Sequence, residues 1–354
     1  MKLAIFSDCH IGEYSEGWVD PETKLNTRLL DTLAIWDWIT QIARSEKADA
    51  IVFAGDRFRL KRPPSWIRDL ADRKVRDISE AGIPLYLLVG NHDMYDKAGT
   101  WDSYNGLRVW DAPVHIINEP SIYPLEGVNL VFLPYGFREE WPACLSDIVA
   151  EEKINILFFH DDVKDISNYG SFTAKEGIPK EWIDCPEWDL VLGGHIHKRQ
   201  ELPLERTDGF HIGSPLDLAQ DGPQGAKGAL ILTLSTDPKK VEVEFVESPA
   251  PKIIKKCLGA NEEWDLSDVK GNIIQLEIEE GNNKIRHEWI NRLRSAEVRS
   301  ASVSIIQKKQ LLVNQPKIPI NATLPLLSQL MEWGKTKTNN EKVLWQLQKI
   351  IDEE

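Results

Sequence analysis

Five short segments rich in carboxylate, amide and imidazole groups each follow an aliphatic run in this sequence. They are Asp8-Cys-His10, Gly55-Asp56, Gly90-Asn-His-Asp93, His160 and Gly193-Gly-His-Ile-His197. Open α/β sheets carry their sites at the carboxyl ends of strands, so we expect these side chains to meet at one edge. Five of the eight histidines fall in these segments, which favours a shared site over unrelated buried histidines.

The mixture of ligand types in these segments suits a borderline divalent ion such as manganese, iron or zinc. The candidate ligands are Asp8, His10, Asp56, Asn91, His160, His195 and His197. Seven ligands exceed what one ion needs, whereas two ions about 3.5 to 4 Å apart that share a carboxylate would use them all. Such two-metal centres support in-line attack at phosphorus by an activated water, so the residues predict hydrolysis of a phosphoester.

Composition places the chain among ordinary globular proteins. Its 354 residues allow two to three domains, and 42% hydrophobic with 28% charged residues excludes a disordered or fibrous chain. The net charge of −14 gives no overall sign of a nucleic-acid binder. Four widely spaced cysteines favour a reducing compartment over a zinc ribbon or disulfide framework. No apolar run approaches the roughly 18 residues of a membrane span, so we expect a cytoplasmic protein.

Short aliphatic runs alternate with amphipathic runs through the first 250 residues, a pattern typical of an α/β fold. The predicted helices cover residues 27–44 and 66–78, and the predicted strands cover residues 3–6, 50–53, 85–89, 128–133, 154–159, 190–192, 229–234 and 241–246. Because the late strands follow one another without helices, we expect layered sheets and not one parallel sheet.

A second unit is expected after Pro249-Ala-Pro251, because two prolines in three residues cannot continue a central strand. It reads as a strand at 272–278, a helix at 284–293 and a strand at 302–307, which together form a small β-α-β unit. A proline-rich linker follows at 315–320.

Two short helices are expected at the C-terminus. Their apolar stripes are Leu324, Leu327, Leu330 and Met331 in the first, and Val343, Leu344, Leu347, Ile350 and Ile351 in the second. Helices of about ten residues cannot bury such stripes alone. They either fold back on their own domain or dock on a partner.

The order of the five ligand segments resembles the calcineurin-like metallophosphoesterase family, whose fold is an α/β sandwich of two layered sheets. The resemblance implies two ligand sets that share Asp56: Asp8, His10, Asp56 and His197 for one ion, and Asp56, Asn91, His160 and His195 for the other. It also implies that His92 protonates the leaving oxygen and that Asp93 orients His92.

Within that family the chain is similar to the SbcD-type DNA nucleases. The similarity rests on Arg62-Pro-Pro64, on His211-Ile-Gly-Ser-Pro215 and on the small C-terminal unit. It implies a Mn²⁺-dependent 3′-to-5′ exonuclease and single-strand endonuclease that acts on DNA, as a homodimer, with an SMC-like coiled-coil ATPase of the SbcC type. The implied divisions are a nuclease domain at 1–250, a DNA-capping domain at 251–312, and a linker with an ATPase-binding helical tail at 313–354. A phosphatase or phosphodiesterase for small molecules or proteins, and a non-catalytic scaffold, are the alternatives.

Arg59 departs from the family pattern, which usually has an acidic residue or histidine three positions after the bridging aspartate. In the nucleases that position supports the catalytic histidine, so the resemblance implies a changed proton-transfer network or a weakened enzyme. Alternatively, Arg59 pairs with a nearby carboxylate. Cys9 lies between two ligands on a strand, so its side chain is expected to point away from them into the core.

The charge is uneven along the chain. Residues 1–251 hold 26 basic and 42 acidic side chains, whereas residues 252–309 hold 11 and 9. Four basic residues follow the bridging aspartate closely: Arg57, Arg59, Lys61 and Arg62. They are the candidate DNA-binding residues, and we call them the basic lip because they would contact phosphates beside the metals. Alternatively, they form a solvated loop.

Overall fold

Strands and helices alternate in the first part of the chain and strands dominate the rest. In chain order the elements are β1 (Lys2–Phe6), α1 (Thr27–Ser45), β2 (Ala50–Phe53), α2 (Ser65–Glu80), β3 (Leu85–Leu88), β4 (Val114–Ile117), β5 (Ser121–Leu125), β6 (Val128–Leu133), β7 (Ile154–Phe159), β8 (Ser167–Asn168), β9 (Phe172–Thr173), α3 (Lys180–Ile183), β10 (Leu190–Gly193), β11 (Gln200–Glu201), β12 (Gly209–His211), β13 (Gly228–Thr236), β14 (Lys239–Glu247), β15 (Ile253–Leu258), β16 (Ile273–Glu279), α4 (Asn283–Ser295) and β17 (Ser300–Ile306).

This computed structural model describes residues 1–96, 101–108, 110, 113–138, 142, 145, 153–168, 172–218, 225–259 and 262–306. Met1–Ile306 form one compact unit. The predicted linker at 315–320 and the two predicted C-terminal helices lie outside the described residues.

Two mixed sheets form the main body. The first has the strand order β14-β13-β1-β2-β3-β4, in which β1 to β4 are parallel. Strand β13 is antiparallel to β1 and forms a hairpin with the edge strand β14. The second has the order β11-β12-β10-β7-β6-β5, with a parallel centre and antiparallel strands at both edges. The expectation of an α/β fold with layered sheets is confirmed.

The strand side chains alternate between two apolar layers. Leu3 and Ile5 of β1 pack in the layer that also holds Phe132 and Phe158 from the second sheet, whereas Ala4 and Phe6 belong to the layer with α1 and α2. Strands of this kind are buried on both faces, which explains their continuous aliphatic sequences. The two layers hold the parallel strands rigidly, and therefore also the loops that follow them.

The two long helices lie close to their predicted positions. Helix α1 begins after Asn26, whose side chain accepts hydrogen bonds from the backbone of Arg28 and Leu29, an N-cap arrangement that satisfies otherwise unpaired amides. Helix α2 begins after Pro64, and the fixed proline backbone precedes its first turn. Among the described residues, no helix combines the length and the apolarity needed to cross a bilayer.

A third sheet follows Pro251, with the parallel order β15-β16-β17 and α4 between its last two strands. Strand β15 was not predicted, since its sequence mixes lysines with apolar residues directly after the two prolines. Several hydrogen bonds join this unit to the main body. Trp18 Nε1 donates to the Ala301 carbonyl (3.3 Å), and Arg299 Nε donates to Asp31 (2.8 Å).

Trp36 on α1 anchors the helix to the first sheet, and its removal should destabilise the fold strongly. It is 1% exposed, with its ring 5.0 Å from Phe6 and 5.1 Å from Phe53. We expect Trp36→Ala to lower the free energy of unfolding by about 3 to 5 kcal/mol through lost burial and the cavity left behind. Trp66→Ala on α2, where the ring is 42% exposed, is the control. Equal losses of unfolding free energy in Trp36→Ala and Trp66→Ala, measured by urea denaturation, would contradict the anchoring role of Trp36.

Candidate metal centre

The seven candidate ligands come together at the carboxyl ends of five parallel strands. Asp8 and His10 follow β1, Asp56 follows β2, Asn91 follows β3, His160 follows β7, and His195 and His197 follow β10. Four of these residues have a positive φ: Asp8, His10, Asp56 and His195. Non-glycine residues in this region of backbone space carry strain that the surrounding structure must hold, and such strain is concentrated at functional sites.

Glycines in the motifs allow the loops to approach one another closely. Gly55 has φ +100°, and a Cβ on it would lie 2.1 Å from His160 Nδ1. A Cβ on Gly90 would lie 2.4 Å from Asp56 Oδ1 and 2.7 Å from His160 Nε2. Both positions therefore require glycine, because any side chain would displace the ligand groups.

One ligand cluster is formed by Asp8, His10 and His197, whose ligand atoms lie within 4.8 Å of one another. The Nε2 atoms of His10 and His197 are 3.0 Å apart. Asp8 Oδ1 is 3.9 Å from each of them. Ser7 Oγ donates to the other oxygen of Asp8 (2.5 Å), which fixes the carboxylate.

A second cluster is formed by Asp56, His160 and His195. His160 Nε2 lies 3.2 Å from Asp56 Oδ1, and His195 Nδ1 lies 3.0 Å from Asn91 Oδ1. His160 Nδ1 faces the Ala54 carbonyl at 2.6 Å, so this nitrogen carries the proton and Nε2 is available as a ligand. Asp56 also lies within reach of His10, at 3.6 Å through Oδ2, and therefore stands between the two clusters.

Burial and mutual charge perturb the titration of these groups. Burial lowers the pKa of His10 to about 4. Burial would also lower the pKa of His160, but the negative charge of Asp56 raises it to about 10. Burial works to raise the pKa of Asp56, and the positive charge of His160 outweighs it and holds that pKa well below its usual range. Without a cation, the imidazolium of His160 neutralises Asp56.

The donor set fits divalent cations. Two ligands at right angles, each about 2.1 Å from an ion, lie about 3 Å apart. The His10 to His197, His160 to Asp56 and Asn91 to His195 separations of 3.0, 3.2 and 3.0 Å match that spacing. The buried Nε2 of His160 makes no well-aligned hydrogen bond and faces Asp56 Oδ1, so a cation bound by both atoms would satisfy it.

His92 lies in a cleft of about 270 Å³ that also contains His10, Arg59 and His197. Its ligand atoms lie within 4.8 Å of those of His10 and Asp56, so by distance alone it forms a third candidate group. Its ring meets the His10 ring edge-on at 4.9 Å, and its backbone N–H donates to Asp56 Oδ1 (2.8 Å). The ring nitrogen Nδ1 is 2.8 Å from the Arg59 carbonyl. The proton on Nδ1 is thereby held by the main chain, and Nε2 is the nitrogen that can exchange a proton with a substrate.

The resemblance implied that Asp93 orients His92, but the Asp93 carboxylate makes no direct hydrogen bond to the His92 ring. Its carboxylate is buried and accepts hydrogen bonds from the backbone amides of Asp56 (2.9 Å), Arg57 (3.0 Å) and Gly90 (3.0 Å). Tyr104 also donates to it, at 3.2 Å. The expectation failed because the main chain of residue 59 holds the imidazole, while Asp93 faces backbone amides. Asp93 therefore organises the loops.

The predicted basic lip is smaller than expected. Arg57 is 0% exposed, donates to Asp72 (2.8 Å) and packs against aromatic rings such as Phe58, so it cannot contact DNA. Arg59 is half-buried; its guanidinium donates to the Glu13 carbonyl (2.6 Å) and covers the Tyr14 ring. The exposed members of the lip are Lys61 and Arg62.

Cys9 lies in the core, as predicted. It is 0% exposed, and burial raises the pKa of its thiol well above the usual range. It is therefore a packing residue and offers no thiolate to the centre.

A family model described as calcineurin-like phosphoesterase matches residues 1–199. The match covers more than half of the chain and includes all five ligand segments. The chain belongs to the calcineurin-like phosphoesterase family.

Three relatives share about a quarter of their residues with this phosphoesterase. The DNA double-strand break repair protein Mre11 of Sulfurisphaera tokodaii is 26% identical over 246 residues, 67% of this chain and 60% of that protein. Mre11 of Saccharolobus solfataricus is 25% identical over 297 residues, 81% of this chain and 74% of that protein. The D subunit of the nuclease SbcCD of Bacillus subtilis is 25% identical over 297 residues, 72% of each chain.

Several supporting groups of this phosphoesterase were not predicted from the sequence. Ser7 holds Asp8, and Tyr14 donates to the His10 carbonyl (2.8 Å). Asp162 lies 3.4 Å from His195 Nε2. Two aspartates directly after His160 could have indicated the role of Asp162. The contact with Ala54 could not be predicted from the sequence, because Ala54 contributes only its backbone carbonyl.

Removing the carboxylate of Asp93 should weaken the fold at the site. In Asp93→Ala three buried backbone N–H groups lose their acceptor, and each unpaired group costs about 1 to 3 kcal/mol. We expect the unfolding free energy to fall by several kcal/mol, with a smaller loss in Asp93→Asn, which keeps one acceptor oxygen. Asp69→Ala, which removes an exposed carboxylate paired with Arg73, is the control and should change little. Similar denaturation midpoints for Asp93→Ala and Asp69→Ala would refute the role of Asp93.

Proposed function

We propose that this chain is a two-metal-dependent DNA nuclease, a 3′-to-5′ exonuclease and single-strand endonuclease, and the nuclease component of a cytoplasmic repair or recombination complex. The observation that carries the proposal is the pair of ligand clusters joined at Asp56, with His92 beside them in an open cleft. Similarity to proteins named as Mre11 and to the D subunit of the nuclease SbcCD supports DNA as the substrate.

The proposed ligand sets follow the two clusters. One ion is held by Asp8, His10, Asp56 and His197, the other by Asp56, Asn91, His160 and His195, and both are Mn²⁺. Mixed oxygen and imidazole ligands are compatible with this ion. When bound, the ions supply Lewis-acid stabilisation of the phosphoryl oxygens and an activated water for in-line attack.

The protein's own contribution to the reaction centres on His92. Hydrogen bonding of Nδ1 to the Arg59 carbonyl leaves Nε2 directed to the cleft. In the protonated ring Nε2–H donates a proton to the leaving oxygen of the scissile phosphodiester. The Arg59 carbonyl keeps the ring in this orientation.

DNA contacts are proposed at two places, since the main body as a whole is acidic. Lys61 and Arg62, the exposed members of the basic lip, follow Arg59 on the loop beside His92 and would hold backbone phosphates. The third sheet belongs to the proposed DNA-capping domain at 251–312, next to the nuclease domain at 1–250. Few phosphate contacts imply weak intrinsic affinity for DNA.

Loss of His92 should abolish turnover without loss of the metals. We expect His92→Ala to lower Mn²⁺-dependent cleavage of end-labelled linear DNA by at least about 100-fold, as for removal of a general acid. Metal content, measured by plasma emission spectrometry, should remain that of the wild type, because His92 is not a proposed ligand.

The substrate class is tested with the same proteins. The wild type should degrade DNA from 3′ ends and cleave single strands. Hydrolysis of p-nitrophenyl phosphate without any cleavage of DNA would indicate the alternative phosphatase. Normal DNA cleavage by His92→Ala would remove His92 from the mechanism, and a metal-free wild type in excess Mn²⁺ would indicate a scaffold.

Residues 313–354 are proposed as a linker and a helical tail that binds an SMC-like coiled-coil ATPase of the SbcC type, with the nuclease as a homodimer. Amphipathic helices of this length are suited to a groove on a partner. A chain ending at Val313 should remain folded and hydrolyse bis(p-nitrophenyl) phosphate with Mn²⁺, but should no longer co-purify with the ATPase of its own genome. If the shortened chain unfolds, or still binds the ATPase, the tail is not the docking element.

A further inference from the structure

His195 lies between two polar groups, one on each ring nitrogen. Nδ1 is 3.0 Å from Asn91 Oδ1, and Nε2 is 3.4 Å from Asp162 Oδ2. Asn91 and His195 belong to the same proposed ligand set, and the 3.0 Å separation matches two ligands of one ion. Nδ1 is therefore the nitrogen that faces the metal, and Nε2 is the nitrogen that faces Asp162.

Asp162 sits on a backbone that is fixed from several sides. Its N–H donates to Asp161 Oδ1 (2.8 Å), and its carbonyl accepts from the Ile178 N–H (2.9 Å). Asp161 is 1% exposed and is held by Arg138 through two hydrogen bonds of 2.7 and 2.5 Å. The Asp162 carboxylate therefore approaches His195 from a rigid support.

The partner of His195 differs from that of two neighbouring histidines. His160 and His92 each direct Nδ1 to a main-chain carbonyl, of Ala54 and Arg59. A carboxylate accepts a stronger, charge-assisted hydrogen bond than a carbonyl. It also increases the basicity of a metal-binding imidazole and fixes its tautomer.

We propose that Asp162 is a positioning residue that orients His195 with Nδ1 toward the second ion and strengthens this ligand. The inference rests on the proposed two-ion centre. It assigns a role to the acidic pair after His160: Asp161 fixes the loop through Arg138, and Asp162 acts on the ligand. Loss of such a partner typically lowers metal affinity about 10- to 100-fold.

The test is a Co²⁺ titration of the full chain after removal of metals with a chelator, followed by calorimetry and by the visible absorption of bound Co²⁺. In the wild type we expect two binding steps. Asp162→Asn should weaken one step about 10- to 100-fold, change the absorption of that ion and leave the other step within about twofold. Asp162→Glu, which restores a carboxylate, should recover part of the affinity.

Asp165→Asn is the matched control, because Asp165 is an exposed carboxylate in the same loop, and asparagine tolerates its φ of +63°. It should bind Co²⁺ like the wild type. The proposal is overturned if Asp162→Asn leaves every binding step unchanged. It is also overturned if all steps weaken together with a lower unfolding midpoint of the metal-free protein, which would indicate a structural role.

Failure of the two-ion centre is distinguishable from failure of the Asp162 proposal. A wild type that binds one Co²⁺ contradicts the two-ion centre by itself. The Asp162→Asn variant then reports on that single step, where a loss of about 10- to 100-fold supports the role of Asp162 and an unchanged affinity refutes it.

Discussion

The centre depends on one buried carboxylate that binds the main chain. Asp93 accepts the amides of Asp56 and Gly90 through one oxygen and the amide of Arg57 through the other. The loops after β2 and β3 are thereby joined, and they carry Asp56, Asn91 and His92. If this junction moved, the shared carboxylate, an amide ligand and the proposed general acid would all move with it.

The junction carries an electrostatic cost. Burial and the negative charge of Asp56 raise the pKa of Asp93. The ionised carboxylate of Asp93 is therefore less favourable in this site than it would be in water. Positive charge at the clusters relieves this repulsion, from His160 in the metal-free protein and from bound cations in the proposed enzyme. The strain and charge of the centre are tolerated because the two apolar layers of the sandwich hold the strand ends in place.

The sequence allowed the prediction of most strands of the two main sheets, both long helices and the meeting of all seven candidate ligands, because these follow from local patterns. The short strands β4, β5, β11 and β12 were not predicted. Aliphatic runs predict buried strands, and ligands directly after such strands share an edge. The interactions of Asp93, Arg57 and Asp162 could not be predicted in the same way. Asp93 binds amides that nearly every residue carries, and Arg57 is buried by Asp72 and Trp36 from other segments. Asp162 meets His195 because the strands that precede them, β7 and β10, are neighbours in the sheet although they are distant in the sequence.

The support that position 59 gives to His92 does not depend on the side chain at that position. The group that holds the imidazole is a carbonyl of the main chain, and every type of amino acid supplies that carbonyl. In this chain, the arginine side chain at position 59 is therefore compatible with a firmly held His92 imidazole.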